Sequence, residues 1–211
     1  MLRWAWRLFR REWRQQLLAL ALIAAAVATT IVGAAVATNT PPPANTGFGS
    51  ANHLVVLQGS DPHLTAGIAA IKAHFGAADV IENEQIATGL VGGAQLRTQD
   101  PNGPFGGPML ALVSGHYPSG GGEIALTSQL ASTFGLRLGD VWRKAGRSFR
   151  VVGIVENPED LLDNFALVAP GQLSSPSQVT VLFDASPASI AGFAFPQGAI
   201  PVAPQHSAGI S

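Results

Sequence analysis

The feature that most constrains the fold is an apolar stretch of 21 residues, Leu17 to Ala37, without any charged side chain. In a helix that rises about 1.5 Å per residue, such a stretch spans roughly 30 Å, which is the thickness of the hydrocarbon core of a bilayer. No later part of the sequence is apolar for the ~18 residues that a crossing requires. The sequence therefore predicts one transmembrane helix over residues 17–37.

The charges on either side of this stretch predict its orientation. Before it lie five of the twelve basic residues of the chain, with Glu12 as the single acid: Arg3, Arg7, Arg10, Arg11 and Arg14. By the positive-inside rule these residues stay in the cytoplasm, and the chain from about Thr38 onward lies outside. We expect a single-pass protein of the cell membrane, with no nucleic-acid partner.

Residues 1–16 have the pattern of a basic amphipathic helix. At about 100° per residue, Trp6 and Trp13 fall on one stripe with Leu2 and Phe9, and the arginines fall on the adjacent stripe. Tryptophan suits headgroup depth, and arginine suits anionic lipid. We predict that both sets anchor this segment to the inner leaflet of the lipid bilayer.

Small residues recur at every fourth position of the apolar stretch, at Ala21, Ala25, Thr29, Gly33 and Ala37. A face of small residues lets another helix approach closely. We predict a packing face for other membrane helices, including those of a second permease copy, although an alanine-rich helix also produces such a stripe by chance.

A cleaved signal peptide is an alternative, because Ala35-Val36-Ala37 matches a small-residue cleavage site. The apolar stretch is longer than the ~7–15 residues of a signal core, which favours a retained helix.

Residues 38–52 are rich in proline, glycine, asparagine and threonine, which predicts a stiff, extended linker. Residues 53–211 predict a mixed α+β extracytoplasmic domain that opens with a β-α-β unit. Asp61-Pro62 is typical of a helix start, and Thr127 and Gly135 are typical of the two ends of a second, short helix. The predicted strands begin near His53, Ala78, Ala94, Met109, Glu123, Val141, Ser148, Phe165 and Gln178.

No pattern of catalytic, cofactor-binding or metal-ligating residues stands out. The sequence contains no HExxH motif, no G-x-S-x-G elbow and no Walker A loop, so we expect no enzymatic activity and no bound cofactor. We interpret the five histidines as surface or packed residues: His53, His63, His74, His116 and His206. The acids of "ENPEDLLDN" lack the spacing of a calcium loop, and we interpret this segment as a solvated loop.

Two segments carry a family resemblance. "LVSGHYPSGGGEIALTSQLASTFGLRLGD" and "RSFRVVGIVENPEDL" resemble the periplasmic core domain of MacB/FtsX-like ABC transporter permeases. His116 stands where these permeases often carry arginine. The positions that match the family's motif, to which we assign a structural role, are Gly115, Pro118, Gly122, Glu123, Gly135, Gly139, Asp140 and Gly153.

The resemblance implies a permease subunit that works with a separate or fused ABC-type ATPase and transmits its motion to an extracytoplasmic substrate or partner. Members of the family carry three further membrane helices near the C-terminus, which this sequence lacks. Two hypotheses remain open, a fragment of a longer permease and a one-span relative that relies on another subunit. A membrane-anchored binding or adaptor module without transport is the alternative function.

Overall fold

The computed structural model describes residues 47–86, 94–144, 146–173, 175–196 and 199–204, all of which belong to one compact unit, residues 42–211. The predicted membrane helix, the basic segment before it and the linker up to Thr46 lie outside the described residues. Within the described ranges, no helix is both long and apolar enough to cross a membrane.

The elements alternate strands with short helices, as the sequence predicts. The three helices are α1 (Leu64–Phe75), α2 (Ser128–Phe134) and α3 (Pro187–Ala191), with one 3-10 turn at Gly107–Met109. The strands are β1 (His53–Gln58), β2 (Ala78–Ile86), β3 (Ala94–Thr98), β4 (Ala111–Gly115), β5 (Glu123–Thr127), β6 (Val141–Lys144), β7 (Arg147–Glu156), β8 (Phe165–Val168), β9 (Gln178–Phe183) and β10 (Pro201–Val202).

These strands form one ten-stranded mixed sheet. Along the main path the order is β10-β1-β9-β2-β3-β8-β5-β7-β4, and β6 pairs with the first half of β7. Strand pairs β3–β8 and β5–β7 are parallel, and the remaining pairs are antiparallel. The predicted α+β class is confirmed for the described domain.

The predicted β-α-β unit is confirmed in a split form. Strands β1 and β2 do not pair with each other, because β9 lies between them and pairs antiparallel with both. The inserted strand places Val181 opposite Val55 on one side and Val80 on the other. The segment from β3 to β8 is thus an insertion between two parts of one subfold.

All three helices have their packing contacts on one face of the sheet. Helix α1 packs through Ile71 on the cluster of Val55, Val181 and Phe183, to which α3 adds Ile190. Helix α2 covers a second cluster, formed by Leu130, Ala131, Leu126, Ile124, Val151, Trp142 and Phe149. Because burying such side chains supplies most of the folding free energy, this face holds the main core.

The opposite face carries no described helix. Two smaller clusters lie there: loop residues Phe105 and Met109 pack on Ile81 and Leu182, and Tyr117 packs against Phe165, Leu167 and Val155. Between and beyond these clusters, parts of the face remain open. We call it the helix-free face, and it carries the cleft described below.

The structure corrects one helix boundary. Helix α1 begins at Leu64 with His63 as its N-cap, and not at Pro62. The Asp61 carboxylate accepts a hydrogen bond from the His63 backbone N–H at 2.8 Å, which folds residues 61–63 into a turn ahead of the helix. An aspartate that bonds the backbone two residues later favours such a turn.

The cap of α2 is confirmed in position only. Thr127 occupies the N-cap, but its hydroxyl makes no capping hydrogen bond, whereas Gly135 ends the helix in the left-handed conformation at φ 62° and ψ 30°, as predicted. Residues 47–52, which the sequence assigns to the linker, pack on the fold, with Phe48 and Ala51 buried because both are apolar.

Candidate functional site

The family-motif residues meet in the turns around β5 and β7. Gly115 ends β4 at φ 78°, and a Cβ added to it would lie 2.2 Å from the Val152 carbonyl oxygen. A Cβ added to Gly153 would lie 2.4 Å from the His116 carbonyl oxygen. Each strand therefore presses its glycine against the backbone of the other, and the His116 N–H donates to the Val152 carbonyl at 3.0 Å. Only glycine permits this crossing without a shift.

A second turn joins Pro118 to the start of β5. Pro118 is buried, and Gly122 has φ 86°. The Glu123 carboxylate accepts hydrogen bonds from the Ser119 N–H at 2.9 Å and from its hydroxyl at 3.1 Å. These two donors, backbone first and hydroxyl second, hold the pKa of Glu123 below its ordinary value of 4.5.

A third turn links α2 to β6. Gly135 and Gly139 both adopt positive φ, and the Asp140 carboxylate accepts from the Arg137 N–H at 2.8 Å. The Gly139 N–H and Asp140 carbonyl then bond to Val151 of β7, at 2.8 and 2.9 Å. The motif residues thus shape backbone around one strand, and their geometry places no reactive group.

The helix-free face contains an open cleft of about 460 Å³. Its apolar lining residues are Leu54, Val56, Ile81 and Met109, and its polar lining residues are Asn83, Gln95, Arg97, Asn157, Asp160, Asp163, Gln178 and Thr180. Strands β1, β9, β2 and β3 supply the floor, since alternate residues of each strand point to the same face. The loop after β7 closes one side.

A buried arginine organises several of the polar lining residues of the cleft. Arg97 is 6% exposed and forms a two-point ion pair with Asp163, Nη1 to Oδ2 at 2.8 Å and Nη2 to Oδ1 at 3.0 Å. Its Nε donates to Asn83 Oδ1 at 3.1 Å, and the guanidinium lies 3.9 Å from the centre of the Phe165 ring. Asn157 donates to Asp163 Oδ2 at 3.0 Å. We call these five residues the arginine clamp.

The clamp fixes the loop of residues 157–163. Asn157 Oδ1 accepts from the Glu159 N–H at 3.1 Å, and Glu159 Oε2 accepts from the Gly47 N–H at 3.1 Å. The hydrogen bond from Nη2 to Oδ1 adds to the ion pair, and such a charge-assisted hydrogen bond restrains both partners in orientation as well as distance. The arrangement can hold a loop rigidly over the sheet, whereas the donors and acceptors at Gln95, Gln178 and Thr180 face the cleft and suit a polar, uncharged ligand.

The arginine clamp was not predicted from the sequence. The segment "ENPEDLLDN" was predicted to be a solvated loop, yet its Asp163 is only 19% exposed and is tied to a strand 66 residues earlier. The available signal was Arg97 itself, a charge inside the predicted strand "AQLRT". A charged side chain in such a strand requires a buried partner.

The histidines do not come together. His53 stacks on Phe183, His74 contacts Phe75 and Phe193, and His63 and His116 are exposed; His206 lies outside the described residues. No group of three metal-ligating side chains occurs among the residues that the structure describes. The predicted lipid-anchoring and helix-packing residues, which all precede residue 38, also lie outside them.

No family model matches the sequence, and no curated protein matches it. Among solved structures, the chain is similar to the extracellular domain of the noncanonical ABC-type transporter YknZ from Gram-positive bacteria, at 15% identity and a TM-score of 0.45, covering 66% of this chain and 87% of that one. It is also similar to the periplasmic region of MacB from Actinobacillus actinomycetemcomitans, at 13% identity and a TM-score of 0.46, covering 70% and 83%.

A third similar structure is a domain of a protein described as a permease from Porphyromonas gingivalis, at 14% identity and a TM-score of 0.41, covering 67% of this chain and 80% of that one.

Proposed function

We propose that this chain is a non-enzymatic permease component of a MacB/FtsX-type ABC transporter. Its arginine-rich start faces the cytoplasm near a partner ATPase, residues 17–37 cross the membrane, and the described domain acts outside the cell membrane on a substrate or partner. These 211 residues contain no Walker A loop, so ATP hydrolysis would belong to a separate or fused ATPase.

The observation that carries the proposal is the reciprocal glycine crossing of β4 and β7. Gly115 and Gly153 belong to the motif that resembles this permease family, and both stand where a Cβ would collide with backbone. Glycines that matched the motif by chance would have no such structural reason in common. Here the motif describes one backbone arrangement, which supports a shared fold and, with the basic start and apolar stretch, a shared topology.

The described domain suits the transmission of motion more than chemistry. Strand β7 contacts β4, β5 and β6, and the arginine clamp ties the loop that follows β7 to β3. Well-packed sheets move as rigid bodies because their interiors transmit strain. A displacement of the membrane helices would thus move the whole domain and with it the cleft.

The test is affinity purification of the full chain from its native membranes, followed by identification of co-purifying subunits. The expected result is a stoichiometric ABC-type ATPase, lost when Ala25→Leu and Gly33→Leu block the small-residue face. The control variant carries Ala24→Leu and Ala34→Leu, which change neighbouring positions on the opposite side of the predicted helix. Retention in the membrane with no ATPase under any condition would favour the adaptor alternative.

The same membranes can also be used to measure the size of the native protein. An antibody against residues 53–160 should detect either a band near 21.8 kDa, as a one-span subunit requires, or a much heavier one, as a longer permease requires. A soluble band about 4 kDa lighter would instead indicate cleavage after Ala37 and contradict the proposed topology.

A further inference from the structure

An exposed surface with an excess of basic residues lies on the hairpin of β6 and β7, with Glu123 of β5 opposite Arg150. Of the seven basic residues after Arg14, five lie between positions 137 and 150. Trp142 and Phe149 of the hairpin are buried, and the cross-strand pairing places Val141 opposite Arg150, and Arg143 opposite Ser148, on the outward side.

Neither the Arg143 nor the Arg150 side chain makes a hydrogen bond or ion pair with any residue that the structure describes. Val141 lies between these two charges and is 43% exposed. We call these three residues, Val141, Arg143 and Arg150, the arginine face. Arginine is enriched at protein–protein interfaces relative to the rest of the surface, and two arginines without a side-chain partner suit an acidic binding partner.

The loop after β7 has the complementary composition. Leu161 and Leu162 are 70% and 74% exposed, the two most exposed leucines of the described domain. Glu156, Glu159 and Asp160 precede them and form no ion pair within the described ranges. We call residues 156–162 the leucine loop.

The leucine loop is held in a fixed shape before any partner binds. Asp160 accepts from the Leu162 N–H at 3.0 Å, and its carbonyl accepts from the Asp163 N–H at 3.0 Å. The arginine clamp then anchors Asp163 to the sheet. A rigid loop loses little conformational entropy on docking, so its exposed leucines can contribute to affinity.

We propose that the arginine face binds the leucine loop of a second copy of this chain. A second copy is proposed as the binding partner because the two surfaces are complementary. Each surface has apolar side chains at its centre, with arginines around one and carboxylates around the other. Opposite charges at the rim orient the two surfaces, and the buried apolar contact supplies affinity.

The two surfaces lie at opposite ends of β7. Arg150 is the fourth of its ten residues and Glu156 the last, so the two lie about 20 Å apart along the strand. Two chains related by a two-fold axis, with their β7 strands antiparallel, can therefore form the contact twice. Closed two-fold pairs of this kind are the commonest form of soluble assembly.

Cysteine cross-linking tests the contact directly, because the chain contains no cysteine. One copy of the full chain carries Leu162→Cys, and a differently tagged copy carries Val141→Cys; both are produced together in membranes and oxidised. The expected product is a disulfide between the two tags, since the bond requires Cα atoms within about 7 Å. The matched control replaces Val141→Cys by Ala69→Cys, an exposed position on α1.

Charge reversal provides the second test. Arg143→Glu with Arg150→Gln should lower the cross-linking yield about tenfold. Arg150 is neutralised only, because Glu123 lies opposite it across β5 and β7. Combining this arginine face with a leucine loop that carries Glu156→Arg should restore part of the yield. Glu159 and Asp160 are left unchanged, since their carboxylates accept hydrogen bonds that hold the loop.

The proposal would be overturned if Val141→Cys and Ala69→Cys gave equal cross-linking yields. It would also be overturned if the charge reversals left the cross-linking yield unchanged. Disulfides between two copies of Leu162→Cys alone would assign the loop to a different, symmetric contact. The outcome is independent of the proposed transport function, because the disulfide forms between copies of this chain whether or not an ATPase co-purifies.

Discussion

Two regions of the domain use arginine in opposite ways. In the clamp, Arg97 is buried, and its guanidinium is engaged by Asp163, Asn83 and the Phe165 ring. On the hairpin, Arg143 and Arg150 are exposed and unpaired within the part of the chain that the structure describes. The first arginine determines the shape of the molecule, and the other two leave their charge available to another molecule.

The difference follows from burial. A charge removed from water must be paired and hydrogen-bonded, so losing one partner of a buried pair leaves an uncompensated charge. A charge in water needs no partner, and its removal changes stability little. The same residue type therefore predicts a large folding effect at one site and a binding effect at the other.

The largest expected effect is that of Arg97→Met. It leaves the Asp163 carboxylate without its cation, and we expect the free energy of unfolding to fall by about 3–5 kcal/mol. Thermal or denaturant unfolding of the full chain in detergent measures the change. Arg143→Met is the matched control and should change the free energy of unfolding by less than about 0.5 kcal/mol.

A double variant separates the charge from the packing. In Arg97→Met with Asp163→Leu no unpaired charge remains, and apolar replacement of a buried pair is often neutral. We expect most of the lost stability to return. A double variant as unstable as Arg97→Met alone would show that the hydrogen bonds of Asn83 and Asn157, rather than the ion pair, hold the loop.

The sequence anticipates what depends on neighbours along the chain. Short apolar segments bounded by turn residues predicted the strands, and Gly135 predicted the end of α2, because each signal reports local backbone and burial preferences. The insertion of β9 between β1 and β2 and the pairing of Arg97 with Asp163 depend on contacts between distant segments. An aspartate in an acidic loop looks the same in sequence whether it faces solvent or a buried guanidinium.

A substitution at the glycine crossing of β4 and β7 should give the next largest loss of stability. Gly153→Ala places a Cβ 2.4 Å from the His116 carbonyl oxygen, and such overpacking costs about 1–3 kcal/mol. The control Gly120→Ala adds a Cβ that meets nothing within 4 Å. If both variants unfolded at the same denaturant concentration, the crossing would tolerate a side chain and the motif glycine would need another explanation.

Glu123 is an intermediate case, a charge at the surface that is nevertheless held. Its pKa is lowered by the Ser119 N–H first and the Ser119 hydroxyl second. A carboxyl with a lowered folded-state pKa stabilises the fold above its unfolded pKa, and this contribution is lost as the pH falls through the folded value, here below 4.5. Ser119→Ala removes the hydroxyl donor and should raise the pKa of Glu123 part of the way back.

Carbon-13 NMR of the Glu123 carboxyl through an acid titration measures this change. Ser114→Ala, an exposed serine on β4 that makes no contact with the carboxylate, is the control. An identical titration midpoint in Ser119→Ala and the unaltered chain would assign the whole effect to the backbone N–H, which the substitution retains.

The smallest expected effect on stability is that of neutralising the two exposed arginines. This substitution also gives the sharpest test of the difference between the buried and the exposed arginines. Arg143→Gln with Arg150→Gln removes two charges that have no described partner, so the free energy of unfolding should change by less than about 0.5 kcal/mol. The same variant should lose most of the cross-link between Val141→Cys and Leu162→Cys, because the acidic loop of the other copy would meet a neutral face. Measured together, unfolding and cross-linking separate the two uses of arginine. A loss of stability near that of Arg97→Met would place these residues in the folding machinery of the domain and remove the reason for assigning them to a partner.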